Sequence, residues 1–166
     1  MNRITVKDIA LIGVMVAIIE ACKFALSALP NVELTSFWII TFTLMFKKRI
    51  FVVIPVFILI EGLVYGFGLW WFMYLYAWPM LAIITLIFQK NKSVWIWTVI
   101  SGIFGLLFGL MCSIVHLVVG GPAAAFSWWV AGIPWDLIHG VSNFIIMLVL
   151  FHPITKVMKK VASAEN

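Results

Sequence analysis

The sequence predicts an all-α integral membrane protein: one compact bundle of six transmembrane helices with both termini cytoplasmic. Composition is the first observation behind this. The 166 residues are 65% apolar and only 10% charged, with a mean hydropathy of +1.19, whereas soluble domains run at about 45–50% apolar and about 25% charged. Spacing is the second. Apolar runs follow one another with short breaks, and at about 20 residues per span a single domain over residues 1–166 leaves almost nothing for a soluble part. Charge is the third. Arg3 and Lys7, then Lys47, Lys48 and Arg49, then Lys90 and Lys92, then Lys156, Lys159 and Lys160 occupy alternate breaks, and only Lys23 lies elsewhere. The positive-inside rule puts those breaks in the cytoplasm and the breaks around Asn31, Gly68 and Gly121 outside. The net charge of +5 is thus a property of loops, and nucleic acid is discounted as a partner.

The spans follow in order. The first, residues 9–29, stops near Pro30, where Pro-Asn breaks the helix and Glu33 marks a polar turn. It is too long, and carries too much internal charge, for a cleaved signal peptide, so it is read as a mature span. The second, 34–46, ends at Lys47. The third, 50–67, holds Pro55 near its start and Glu61 inside it. The fourth, 72–88, is preceded by Trp70 and Trp71 and carries Tyr74, Tyr76 and Trp78. The fifth, 94–119, contains Gly102, Gly105 and Gly109 and ends at Gly120, Gly121 and Pro122. The sixth, 127–151, leads into His152, Pro153 and the basic tail. Cys22 and Cys112 lie within spans and read as buried free thiols.

Two surfaces are expected on the first helix. Gly13, Ala17, Ala21 and Ala25 recur every fourth residue and form one stripe with almost no side chain, a shape suited to backbone-close approach of another helix. That helix belongs either to this chain or to a partner. Glu20 and Lys23, one turn apart in apolar surroundings, are expected to face protein or a wet cavity.

Within the spans, Asp136, His139 and Asn143 are three and four residues apart and share one face of the sixth helix. Glu61 and Lys23 lie in the outward halves of their spans. Trp70, Trp71, Tyr74 and Trp78, with Trp128, Trp129 and Trp135, gather at external ends. Polar groups in hydrocarbon cost several kcal/mol unless paired or hydrated, so this clustering predicts a small outward-opening cavity with aromatic walls and a few orienting polar groups. The expected substrate contacts are Glu61, Trp70, Trp71, Tyr74, Trp78, Asp136, His139, Asn143 and Lys23. Plainer readings stand beside this one. Trp and Tyr also form interfacial belts, Asp136 and His139 can be a buried structural pair, Lys23 can simply neutralise Glu20 or Glu61, and His116 reads as packing.

No catalytic pattern is present. The three histidines are too far apart in sequence to suggest a metal cluster, and neither a Gly-x-Ser-x-Gly elbow nor a phosphate loop occurs. The chain reads as a non-enzyme without a cofactor of its own, so ATP-driven transport would need the ATPase of another chain. A proton relay through Glu61, Asp136 and His139 is the alternative.

The run A-L-I-G-V-M-V-A-I-I-E-A-C-K-F-A at 10–25, the stretch L-P-N-V-E-L at Leu29 to Leu34 and A-G-I-P-W-D-L-I-H-G-V-S-N at Ala131 to Asn143 resemble the substrate-binding S components of energy-coupling factor (ECF) vitamin transporters. The resemblance implies that Gly13, Ala17 and Ala21, with Ala25 as an extension, contact a transmembrane coupling subunit. It implies two cytoplasmic ATPases as further partners, which would use the ATP. It also implies a pocket in the outer halves of the helices, which takes a vitamin-like micronutrient from outside and topples in the membrane to release it. Nine tryptophans favour a flat heterocycle such as a pterin, a nucleoside or a corrinoid's base. An autonomous proton-coupled carrier and a non-transporting assembly subunit remain as the other two classes.

Overall fold

A computed structural model describes residues 5–164, so Arg3, counted above among the cytoplasmic charges, lies outside the described residues. The elements are α1 (Val6–Ala25), α2 (Thr35–Phe46), a short 3-10 turn (Lys47–Arg49), α3 (Ile50–Tyr65), α4 (Leu69–Phe88), α5 (Val94–Leu106) and α6 (Phe108–Ala164). No strand occurs among the described residues. Leu69–Phe88 and the stretch Val94–Lys160 are long and apolar enough to cross a membrane. The exterior is itself apolar, with Phe24, Leu63, Ile87 and Val118 among the large exposed side chains. Apolar surface on that scale marks a membrane-facing or partner-facing protein.

The helix α1 begins with a capping box. Thr5 Oγ1 accepts the Asp8 N–H at 3.2 Å while the Asp8 carboxylate accepts the Thr5 N–H at 3.1 Å, which satisfies two donors of the helix start. It ends at Ala25, four residues short of the expected Leu29. The Ser27 and Leu29 N–H groups already bond three residues back, to Phe24 and Leu26, so the chain has tightened into turns before Pro30 can interrupt it. One face of α1, with Ile12, Met15, Val16 and Ile19, is buried.

The short α2 is apolar nearly all round and lies at the centre, with Phe37, Ile39, Ile40 and Phe42 all at most 2% exposed. A helix of that pattern belongs inside a bundle. Its two buried threonines turn their hydroxyls back on the helix, Thr41 to Phe37 O at 2.8 Å and Thr43 to Ile39 O at 2.6 Å, which removes the cost of burying them.

The predicted fifth span is interrupted. Leu107, at φ −98° and ψ 1°, separates α5 from α6. Inside α6, Gly121 sits at φ 77° and ψ −176°, a backbone state open to glycine and strained for other residues. Pro122 follows, where a missing N–H costs nothing at a helix start. Gly121 therefore divides α6 into a first arm, 108–120, and a second arm, 122–164, which fold back on each other. Between the arms the His116 ring stacks on Trp128 at 3.9 Å, and the second arm runs on alongside α5, where Gly102 faces Phe144 and Gly105 faces Gly140. A Cβ on Gly105 would come within 2.8 Å of the Gly140 nitrogen and the His139 carbonyl, so the two glycines set the closeness of this contact. The last helix accordingly starts at Pro122 instead of 127. It also runs through Pro134 and Pro153 to Ala164, past the expected end at Phe151.

The basic turns gather at one end of the bundle. Arg49 pairs with Asp8 at 2.7 Å and Lys47 Nζ donates to Gln89 at 2.9 Å, tying the start of α1 to the α2–α3 and α4–α5 turns. The turns at 26–33 and 66–68 lie at the other end.

Candidate functional site

At the end away from the basic turns, a cleft of about 320 Å³ opens between α1, α3 and α4, lined by Lys23, Ser27, Glu61, Tyr65, Trp70 and Tyr74. That volume is at the small end for ligand pockets, roughly 300–1,000 Å³. Lys23 comes from the last turn of α1, Glu61 and Tyr65 from the last turns of α3, and Trp70 and Tyr74 from the start of α4. Because α1 and α3 rise toward this end and α4 starts from it, their terminal turns converge here.

Lys23 Nζ forms an ion pair with Glu61 Oε2 and donates to the Tyr74 hydroxyl at 3.3 Å. The same ammonium lies 5.1 Å from the Tyr74 ring centre, 5.6 Å from that of Tyr65 and 5.7 Å from that of Phe57, all within cation–π range. Glu61 is 1% exposed, and its second oxygen, Oε1, has no hydrogen-bond partner. Lys23 thus pairs with Glu61, not with its helical neighbour Glu20, whose Oε1 is also buried without a partner.

Trp71 and Trp78, expected beside these, do not line the cleft. Gly62 leaves room for Trp71 to tuck against Phe67, and its indole N–H donates to Ile58 O at 2.9 Å. Trp78, 2% exposed, stands behind Tyr74 at 5.2 Å and touches Phe104 and Phe108.

Asp136, His139 and Asn143 do share one face of α6 and all three are buried, but they too are absent from the cleft lining. Their partners lie on the 29–36 segment and on the first arm. His139 Nε2 meets Glu33 Oε1 at 3.1 Å, Asn143 Nδ2 donates to Ser36 Oγ at 3.1 Å, and Ser142 Oγ donates to Asn31 O at 3.1 Å. Asp136 Oδ1 accepts the Gly109 N–H at 2.9 Å. The bonds to Glu33, Ser36 and Asn31 clamp the second arm of α6 to the 29–36 segment, and the one to Gly109 ties it to the first arm. Burial alone would raise the Glu33 carboxyl, but the bonds from His139 and Ser36 outweigh it and hold the group down at about 2. An aromatic file runs between the two clusters, with Tyr74 to Trp78 at 5.2 Å, Trp78 to Phe108 at 5.6 Å and Phe108 to His139 at 5.0 Å.

In the sequence Glu33 marks only a turn, and no pattern singles out Ser27, Ser36 or Tyr65. A buried histidine on a polar face needs an acceptor or an acid, and Glu33 is the carboxylate in a break that holds no basic residue; that was the available signal.

On α1, Gly13, Ala17, Ala21 and Ala25 are all exposed, and a Cβ on Gly13 would meet nothing within 4 Å. The small-residue stripe is not covered by another helix of this chain. Cys22 and Cys112 are free thiols, with Cys22 Sγ accepting the Trp38 indole N–H at 3.2 Å. Among the described residues no three His, Cys, Asp or Glu side chains are placed to hold a metal. No family model, curated protein or solved structure matches this chain.

Proposed function

We propose that the chain is the substrate-binding S component of an ECF-type transporter. It crosses the cell membrane six times, as α1, α2, α3, α4, α5 with the first arm of α6, and the second arm, with both termini and the basic turns in the cytoplasm. The cleft then opens outward, and its cargo is a vitamin-like micronutrient passed on to a transmembrane coupling subunit and two cytoplasmic ATPases. ATP is consumed by those partners.

The uncovered stripe on α1 carries this reading. A bundle gains packing by covering such a strip with its own helices, yet Gly13, Ala17, Ala21 and Ala25 remain exposed while Ile12, Met15, Val16 and Ile19 face inward. The cleft supports it as well, since Lys23 of the same helix contributes to the lining. Docking and capture would thus lie on two sides of one rod.

Ala17→Trp tests the assignment. In membranes that also hold the coupling subunit and ATPases, it is expected to abolish ATP-driven uptake while the purified protein keeps its affinity for the compound that mass spectrometry finds released from it. Normal uptake by this variant refutes the docking role. Uptake driven by a pH gradient in vesicles without any ATPase would identify a self-sufficient carrier instead.

A further inference from the structure

We propose that the outer cleft recognises a ligand through a protonated nitrogen, which sits against Glu61 among the rings of Tyr65 and Tyr74 in the place where the Lys23 ammonium sits now. The inference rests on the proposed capture role of the cleft and names the chemistry of what is captured.

Several observations converge on positive charge. Among the residues that line the cleft, the unpartnered buried polar atom is an acceptor, whereas the unpartnered donor Trp78 Nε1 stands behind Tyr74 and outside the lining. Glu61 Oε1 is buried with no donor, and Glu20 Oε1, one helical turn from Lys23, is in the same condition. A buried carboxylate oxygen without a donor is costly, so Glu61 keeps acceptor capacity beyond the one oxygen that Lys23 engages. The one cation of the cleft is already engaged, by Glu61, by the Tyr74 hydroxyl at 3.3 Å and by three ring faces within 5.7 Å. Ring faces carry the negative end of the aromatic quadrupole and attract ammonium or guanidinium groups, with quaternary amines as the familiar ligand case. An anionic ligand drawn to Lys23 would face the Glu61 carboxylate and those ring faces, both of which repel it.

Lys23 can yield the seat. Its side chain is 27% exposed, and a long flexible stem lets an ammonium withdraw toward water while its methylenes stay packed. The free protein therefore carries its own internal competitor. Ligand binding exchanges one cation for another, leaving the buried charge on Glu61 neutralised throughout, while Trp70 on the wall offers a flat surface to the rest of the molecule.

The test uses one ring system in three charge states. Tryptamine, tryptophol and indole-3-acetate are titrated by calorimetry into the full chain in mild detergent. Tryptamine is expected to bind at least about tenfold more tightly than the other two, a difference of about 1.4 kcal/mol. Glu61→Gln should erase that preference, and Lys23→Met should retain or tighten tryptamine binding. The wild-type ranking does not depend on either variant folding. Tighter binding of indole-3-acetate, equal binding of all three, an unchanged preference in Glu61→Gln, or no binding of any probe overturns the proposal. A reversed ranking with Ala17→Trp still blocking uptake would remove the cation and keep the transporter component. Cation preference with unaffected Ala17→Trp uptake would do the opposite.

Discussion

The cleft at Lys23 and the clamp at His139 use the same chemistry for different ends. Each joins a carboxylate from one segment to a nitrogen base from another, at the same end of the bundle and linked by Tyr74, Trp78 and Phe108. In the clamp, Glu33 is matched on both oxygens, by His139 and by the Ser36 N–H, and the neighbouring Asn143 and Ser142 add bonds of their own. In the cleft, Glu61 is matched on one oxygen only, and the space in front of it is open. A carboxylate satisfied on both sides holds segments together; one left half satisfied at an opening is a place for something else to bind.

The largest expected effect comes from breaking the clamp. His139→Ala leaves the half-buried Glu33 without one partner and is expected to cost about 1.5–3 kcal/mol, the range for losing a hydrogen bond to a charged group. It is read as a fall in unfolding midpoint, while the folded fraction keeps its ligand affinity. Loss of affinity with unchanged stability would reverse the roles assigned to the two clusters.

Acid sharpens the same contrast. Glu33 sits at about 2, below its ordinary 4.5, so the native state holds this proton less tightly than the unfolded chain. Its stabilisation is complete above about 4.5 and is lost as pH falls from there through about 2. The unfolding midpoint should drop across that window in the wild type. In His139→Gln the depression of Glu33 should shrink, so the acid drop should be smaller and finish at higher pH, and identical profiles would remove Glu33 from the clamp.

Glu61→Gln is the next largest. It should weaken ligand binding by about tenfold, near 1.4 kcal/mol, and change the unfolding midpoint far less than His139→Ala does. The smallest is Tyr76→Phe, at neither cluster. Losing its 2.8 Å bond to Met111 O is expected to cost about 1 kcal/mol with no change in binding. A binding defect in that variant would mean that the cleft and the α4–α6 contact are not separable.

Much of the helical layout was readable from apolar runs and breaks, because a helix packed among helices still needs its turns punctuated. Gly121 with Pro122 marked the hairpin correctly. Pro153 misled, since a proline removes one bond without ending a helix whose other side chains, such as Met147, Phe151 and Thr155, remain buried. The common face of Asp136, His139 and Asn143 follows from helical spacing, but their partners lie about a hundred residues away in sequence, a distance that periodicity does not reach. The aromatic residues divided for a similar reason: Trp70 faces the cleft, whereas Trp71 turns inward because Gly62 leaves it space.

The second arm of α6 has one more implication. At about 1.5 Å per residue, 122–164 makes a rod of about 60 Å, twice the roughly 30 Å of a bilayer's hydrocarbon. On the proposed six-span topology such a mast cannot stand upright with both tips immersed: it would have to lean or protrude. From Ser93 to Trp135 the chain carries no Asp, Glu, Lys or Arg, so on that topology the tip that Gly121 creates favours lipid over water.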